Sequence, residues 1–157
     1  MNTNARIEIK LTDQAEAPRM FCNQCEQTTK GVCCVKIGTC GKNPALAARQ
    51  DELVATLIDA SRYVDHSSDN AKLFEKALFA TLTNVNFDCE KIRSLTEEVR
   101  SLVNEAAELR FDMQSVWTAD DDIRSLKSLI LFGLKGVAAY AYHARILGYT
   151  NDEIDAF

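Results

Sequence analysis

From residue 44 onward, apolar side chains recur every three or four positions, the period of helices that bury one face. Asn43-Pro44 opens the first, with an N-cap residue followed by Pro at the first helical position. Leu46, Leu53, Val54, Leu57 and Ile58 share a face as far as Val64, where His66-Ser-Ser-Asp breaks the pattern. A second helix places Leu73, Phe74, Ala77, Leu78, Thr81 and Leu82 on its inner side, and Asn84-Val-Asn86 is a turn. A third is predicted from Asp88 to Arg110, with Cys89, Ile92, Val99, Leu102, Val103 and Ala106 at helical spacing. Phe111 to Asp120 reads as a loop carrying the single Trp, Trp117. A fourth helix is predicted from Asp121 to Leu147, with Gly148 as its C′ residue. Thr150-Asn-Asp-Glu153 then fits a capping box, the signature of a helix beginning. The fold class expected is all-α, a helical bundle with an N-terminal cysteine-rich loop that binds a metal or cluster.

The same pattern divides the chain into four parts. Residues 1–19 form an extension in which Arg6 to Leu11 alternates polar and apolar, as a short strand or a loose arm would. Residues 20–43 form the cysteine loop, which holds Gly31, Gly38 and Gly41 and too few large apolar side chains to fold without a metal or cluster. Residues 44–149 are the bundle. Residues 150–157 read as the start of a truncated helix, because a single turn does not stabilise itself.

Composition narrows the class further. The 157 residues carry a net charge of -5, which lends no support to nucleic-acid binding. The longest apolar stretch, Ser128 to Tyr142, is interrupted by Lys135 and two glycines and falls short of the ~20 residues a membrane helix needs. Residues 1–19 are polar and do not read as a signal peptide. The expected location is cytoplasmic, where cysteines are metal ligands more often than disulfides.

The chemistry lies in Cys22, Cys25, Cys34 and Cys40, spaced C-x2-C-x8-C-x5-C. Structural zinc usually takes two short knuckles; here only the first pair is one. Four thiolates in a compact run suit an iron–sulfur cubane, which binds one at each of four corners. Spacing alone leaves zinc as an alternative, and does not say whether Cys33 or its neighbour Cys34 is the ligand. Lys30, Lys36 and Lys42 are interleaved with the cysteines, either tuning an anionic cluster or merely solvating a loop. Cys89 fits a small core residue on an apolar helix face. Asp120-Asp121-Asp122 fits a helix N-terminus complementing the macrodipole. His143, beside Tyr140 and Tyr142, fits a hydrogen-bonded packing role.

Met20-Phe-Cys-Asn-Gln-Cys-Glu-Gln-Thr, followed by Cys34-Val-Lys-Ile-Gly-Thr-Cys-Gly-Lys42, resembles the N-terminus of the hybrid cluster proteins, also called prismane proteins or hydroxylamine reductases. The resemblance continues to Tyr140-Ala-Tyr-His-Ala and Leu147-Gly-Tyr and so covers nearly everything after residue 19. It implies that Cys22, Cys25, Cys34 and Cys40 hold a [4Fe–4S] cluster and that Cys33 is a spare thiol. In such proteins this cluster passes electrons to a hybrid iron–sulfur–oxygen cluster, where hydroxylamine or nitric oxide is reduced. The ligands of that second cluster belong to later domains and map to nothing here; neither His66 nor His143 takes that part.

The function expected is a [4Fe–4S] electron-relay module of a hydroxylamine/nitric oxide reductase, without the catalytic centre and with no catalytic residue of its own. Its partners would be a redox donor protein and the remaining domains or a complementary chain of the reductase, with no nucleic acid and no membrane. The alternatives are a structural zinc-binding interaction module, or a redox or nitric-oxide sensor that exploits the lability of a cluster and the Cys33 thiol.

Overall fold

A computed structural model describes residues 20–25, 27, 33–65, 67–103 and 109–157. The extension 1–19 with its alternating segment, Lys30, Gly31, His66 and Ala106 lie outside the described residues.

The fold is all-α. Helix α1 spans Pro44–Ala60, α2 Ser68–Ala80, α3 Cys89–Arg100, α4 Gln114–Trp117, α5 Asp121–Ile146 and α6 Asp152–Ala156. Each of the first three starts on a side-chain cap that satisfies amides with no partner inside the helix. Asn43 Oδ1 accepts from the Leu46 amide at 2.8 Å, with Pro44 behind it, as the sequence predicts. Ser67 Oγ accepts from the Asn70 amide, and Asp88 Oδ1 accepts from those of Glu90 and Lys91. At the far end of α5, Gly148 takes φ +85. The Gly148 amide donates to Arg145 and the Tyr149 amide to Ala144, so two last-turn carbonyls are satisfied.

Helix α1 packs on α3 and α2 packs on α5. The core between the first three helices is Leu46, Leu53, Leu57 and Ala60 from α1, Ala77 and Ala80 from α2, and Ile92, Leu95 and Val99 from α3. Cys89 packs against this core, the structural place its helical spacing predicts. Truncating Leu53 to Ala would cost about 2–5 kcal/mol, because a close-packed interior does not collapse fully around a cavity.

Helix α1 ends at Ala60, short of the Val64 expected, and three further features differ from the sequence expectation. Helix α3 ends at Arg100 rather than Arg110, and 104–108 lie outside the described residues. The Phe111 amide donates to the buried carboxylate of Asp59 on α1. The predicted loop 111–120 contains a helical turn, α4. Met113 and Val116 are buried there with Val54, while Phe111, Trp117 and Leu131 pack around them. Packing of apolar side chains thus made a helix where local signals favoured a loop. The last helix is capped by Asn151, whose Oδ1 accepts from Glu153 and Ile154, and not by Thr150.

Candidate functional site

The cysteine loop is shaped by its backbone. Cys22 and Cys34 exchange both amide hydrogen bonds, at 3.1 and 2.8 Å, and form an isolated antiparallel bridge. The Met20 amide extends the pairing to the Val35 carbonyl at 3.1 Å. These contacts close a loop of eleven residues between two cysteines, which the sparse apolar content of the segment would not do by itself. Met20 and Cys34, the latter 4% exposed, pack with Ala47 on α1 and with Cys22. The knuckle between Cys22 and Cys25 is tied down from the bundle: the Thr83 hydroxyl donates to the Gln24 carbonyl at 3.3 Å. Phe21 packs on Trp117 with ring centroids 5.0 Å apart, which fixes the other flank of the loop against α4.

The last cysteine depends on two glycines. Gly41 takes φ +91, a conformation that side chains disfavour, and its amide donates to the Gly38 carbonyl at 2.8 Å. A Cβ on Gly38 would sit 3.0 Å from the Cys40 sulfur and 3.3 Å from the Lys42 amide nitrogen. Gly38 is therefore the space that the Cys40 thiol occupies.

None of the six cysteines is in a disulfide. The structure thus pairs Cys22 with Cys34 and sets Cys40 in a glycine turn, while Cys25 follows on the knuckle. Among the described residues, no three His, Cys, Asp or Glu side chains converge on one point as ligands of a single ion would. The donor set, four thiols on one short loop with steric room kept beside Cys40, fits a cluster bound by thiolates. Cys33 is half-buried: burial pushes its thiol up, Cys34 adds to this, Arg124 of α5 opposes it and Cys22 adds to it again.

The lysines separate by position. Lys36 is exposed and solvates the loop, whereas Lys42 is 3% exposed and buried against it. A second buried lysine was missed by motif reading. Lys135 of α5, 1% exposed, is the largest fully buried side chain among the described residues. Burial lowers it to about 8, with Lys42 adding to the effect while Asp51 and Cys22 hold it up. Asp51 of α1 is in turn raised to about 6 by burial, against the pull of Lys135, Lys42 and Trp117. The Trp117 indole lies near enough to favour the carboxylate, although its Nε1 completes no hydrogen bond of ordinary geometry. The sequence signal was there, a lone charge inside an apolar helical run, but nothing local said that it faced the cysteine loop.

The other residues singled out in the sequence have structural places. His143 Nδ1 lies 2.7 Å from the Ala139 carbonyl, and its ring meets Phe79 edge-on with centroids 5.0 Å apart. Asp121 and Asp122 occupy the first turn of α5, and Asp121 pairs with Arg124 at 2.7 Å.

Residues 20–157 match the Prismane/CO dehydrogenase family. The chain belongs to that family. Membership carries an implication of iron–sulfur clusters, which accords with the thiol-rich loop. The chain is 40% identical to a hydroxylamine reductase of Bacteroides fragilis, strain YCH46, over 88% of its own length and 31% of the relative's. It is 39% identical to hydroxylamine reductases of Maridesulfovibrio salexigens and Desulfovibrio desulfuricans, covering 87% and 88% of this chain and 31% of each relative. It thus spans under a third of the length of these relatives. No helix among the described residues is long and apolar enough to cross a membrane.

Proposed function

We propose that this chain is a [4Fe–4S] electron-relay module of a hydroxylamine/nitric oxide reductase, with Cys22, Cys25, Cys34 and Cys40 as the iron ligands. The observation that carries the reading is the backbone pairing of Cys22 with Cys34, which brings the first knuckle onto the second half of the motif. It also supports Cys34 over Cys33 as ligand, since Cys34 is the partner in the bridge. A cluster bound there would accept and give up single electrons. The chain's own residues hold the four thiolates, exclude water from Cys34 and fix the loop against α1, α4 and the turn at Thr83. Reduction of hydroxylamine or nitric oxide is assigned to polypeptide beyond this stretch, and a redox protein is proposed as the donor. A cytoplasmic location, where thiols stay reduced, is part of the same proposal.

The outer face of α5 supports a place within a larger reductase. Leu126, Leu129, Ile130, Val137 and Tyr140 recur at helical spacing and are all exposed, Leu129 at 69% and Tyr140 at 84%. The opposite side of α5 faces the bundle with Leu131, the buried Ala138 and the buried Lys135, so the outer stripe is not the side that packs on the core. Single exposed apolar residues are ordinary, but a continuous stripe marks a surface that another element covers. The occupant proposed is the polypeptide that supplies the other two-thirds of a reductase of the relatives' size.

Anaerobic preparation followed by iron, sulfide and zinc analysis tests the relay. The expected result is four irons and four sulfides per chain, with visible absorption bleached by dithionite. A colourless chain holding one zinc overturns it in favour of the structural zinc module.

A further inference from the structure

A lysine is rarely buried without a reason, since its charge loses hydration. Lys135 is the largest such side chain here, and it sits mid-helix where Leu or Met would fill the space more cheaply. Leu131, one turn earlier on α5, packs against Val54 of α1, and on that helix Asp51 lies one turn beyond Ala47, which packs with Cys22 and Cys34; Lys135 feels the charges of Lys42, Asp51 and Cys22. Among the described residues no carboxylate lies within ion-pair distance of it, so its charge is not spent on a single carboxylate. Cys22 and Lys42 both belong to the segment that holds the four thiols, and Trp117 flanks Asp51 while its ring covers Phe21 beside Cys22.

Taking the relay reading as its basis, we infer that two opposite charges, the buried Lys135 and the half-buried Asp51, together set the reduction potential of the cluster held by Cys22, Cys25, Cys34 and Cys40. Lys135 is a positioning and tuning residue, not a ligand. A reduced cluster carries one more negative charge than an oxidised one. A buried cation nearby therefore favours the reduced form and raises the potential, and a buried anion lowers it. Water screens the effect of Lys135 little, because that side chain is buried. Helix α5 thereby couples the cluster to the face on which the rest of a reductase is proposed to dock.

The test is potentiometric titration of the cluster in the anaerobic chain, with iron content measured alongside, for wild type, Lys135→Met, Lys135→Arg and Asp51→Asn. The expected result is full iron content with the potential shifted down in Lys135→Met, up in Asp51→Asn and near wild type in Lys135→Arg. Opposite signs from two substitutions in one pocket are not what simple loosening of the packing would give. Where Lys135→Met fails to fold, Asp51→Asn carries the sign by itself. A wild-type chain that binds the cluster while Asp51→Asn leaves its potential unmoved or lower overturns this inference and leaves the relay standing. A wild-type chain that binds no cluster overturns both.

Discussion

Arg145 grips Glu75 with two parallel hydrogen bonds, Nε to Oε2 at 2.9 Å and Nη2 to Oε1 at 2.7 Å, and so ties α5 to α2 across seventy residues of sequence. The same Nη2 reaches Asp155 Oδ1 on α6 at 2.7 Å. All three groups are largely withdrawn from water, and the flanking carboxylates hold the guanidinium charged far above its already high range. Such a fork gives direction as well as energy. Replacing Arg145 by Met leaves two carboxylates facing each other without a cation and should cost about 3 kcal/mol. Thermal or urea unfolding measures it, and a double-mutant cycle with Glu75→Gln should show strong coupling. Additive losses would mean that the two residues act independently.

Gly38 is predicted to govern the fourth thiol. The Cβ of Gly38→Ala would meet the Cys40 sulfur and the Lys42 backbone. Anaerobic iron content should fall well below wild type while helix content by circular dichroism stays the same. Unchanged iron would show that the turn moves aside at little cost.

Cys33 and Cys34 should behave differently. Cys34→Ala removes the buried sulfur beside the bridge and is expected to abolish stable iron binding; Cys33→Ala should leave iron stoichiometry intact. Equal losses in the two variants would remove the distinction between ligand and spare thiol.

Lys135 and Asp51 predict a pH dependence of the metal-free chain under reducing conditions. Asp51 rises from 3.8 to about 6 on folding, so between these values the folded state holds more protons than the unfolded one. Its contribution to stability is greatest at low pH and is lost as pH rises through about 6. Lys135 falls from 10.5 to about 8, so there the unfolded state holds more protons and stability recovers as pH rises from 8 towards 10.5. Wild type should therefore lose ground to Asp51→Asn between about pH 4 and pH 6, and gain on Lys135→Met above about pH 8. Melting temperatures across this range check it; parallel curves for the variants would contradict it.

The α5 stripe makes a separable prediction. Leu129→Glu and Ile130→Ser change exposed side chains, so they should alter the chain's own stability by less than about 0.5 kcal/mol. They should nevertheless abolish association with a purified polypeptide corresponding to the remaining two-thirds of a hydroxylamine reductase. Retained association, measured by gel filtration or calorimetry, would place the contact elsewhere.

The sequence alone determined the things that depend on neighbours a few residues apart. The Asn43 cap, the extent of α5 with Gly148 behind it, and the periodic core of Leu46, Leu53, Leu57, Ile92 and Val99 follow from local capping and helical period. So does the family resemblance, because the four cysteines and their flanking residues are contiguous. Only tertiary structure decided what depends on distant partners. Asp59 on α1 takes the Phe111 amide, and burial of Met113 and Val116 turned an expected loop into α4. Lys135 reads in the sequence as an interruption of an apolar run. Folding brought it within electrostatic reach of Asp51, eighty-four positions earlier, and Cys22, more than a hundred earlier, because a charge's environment is set by what packs around it and not by what precedes it in the chain.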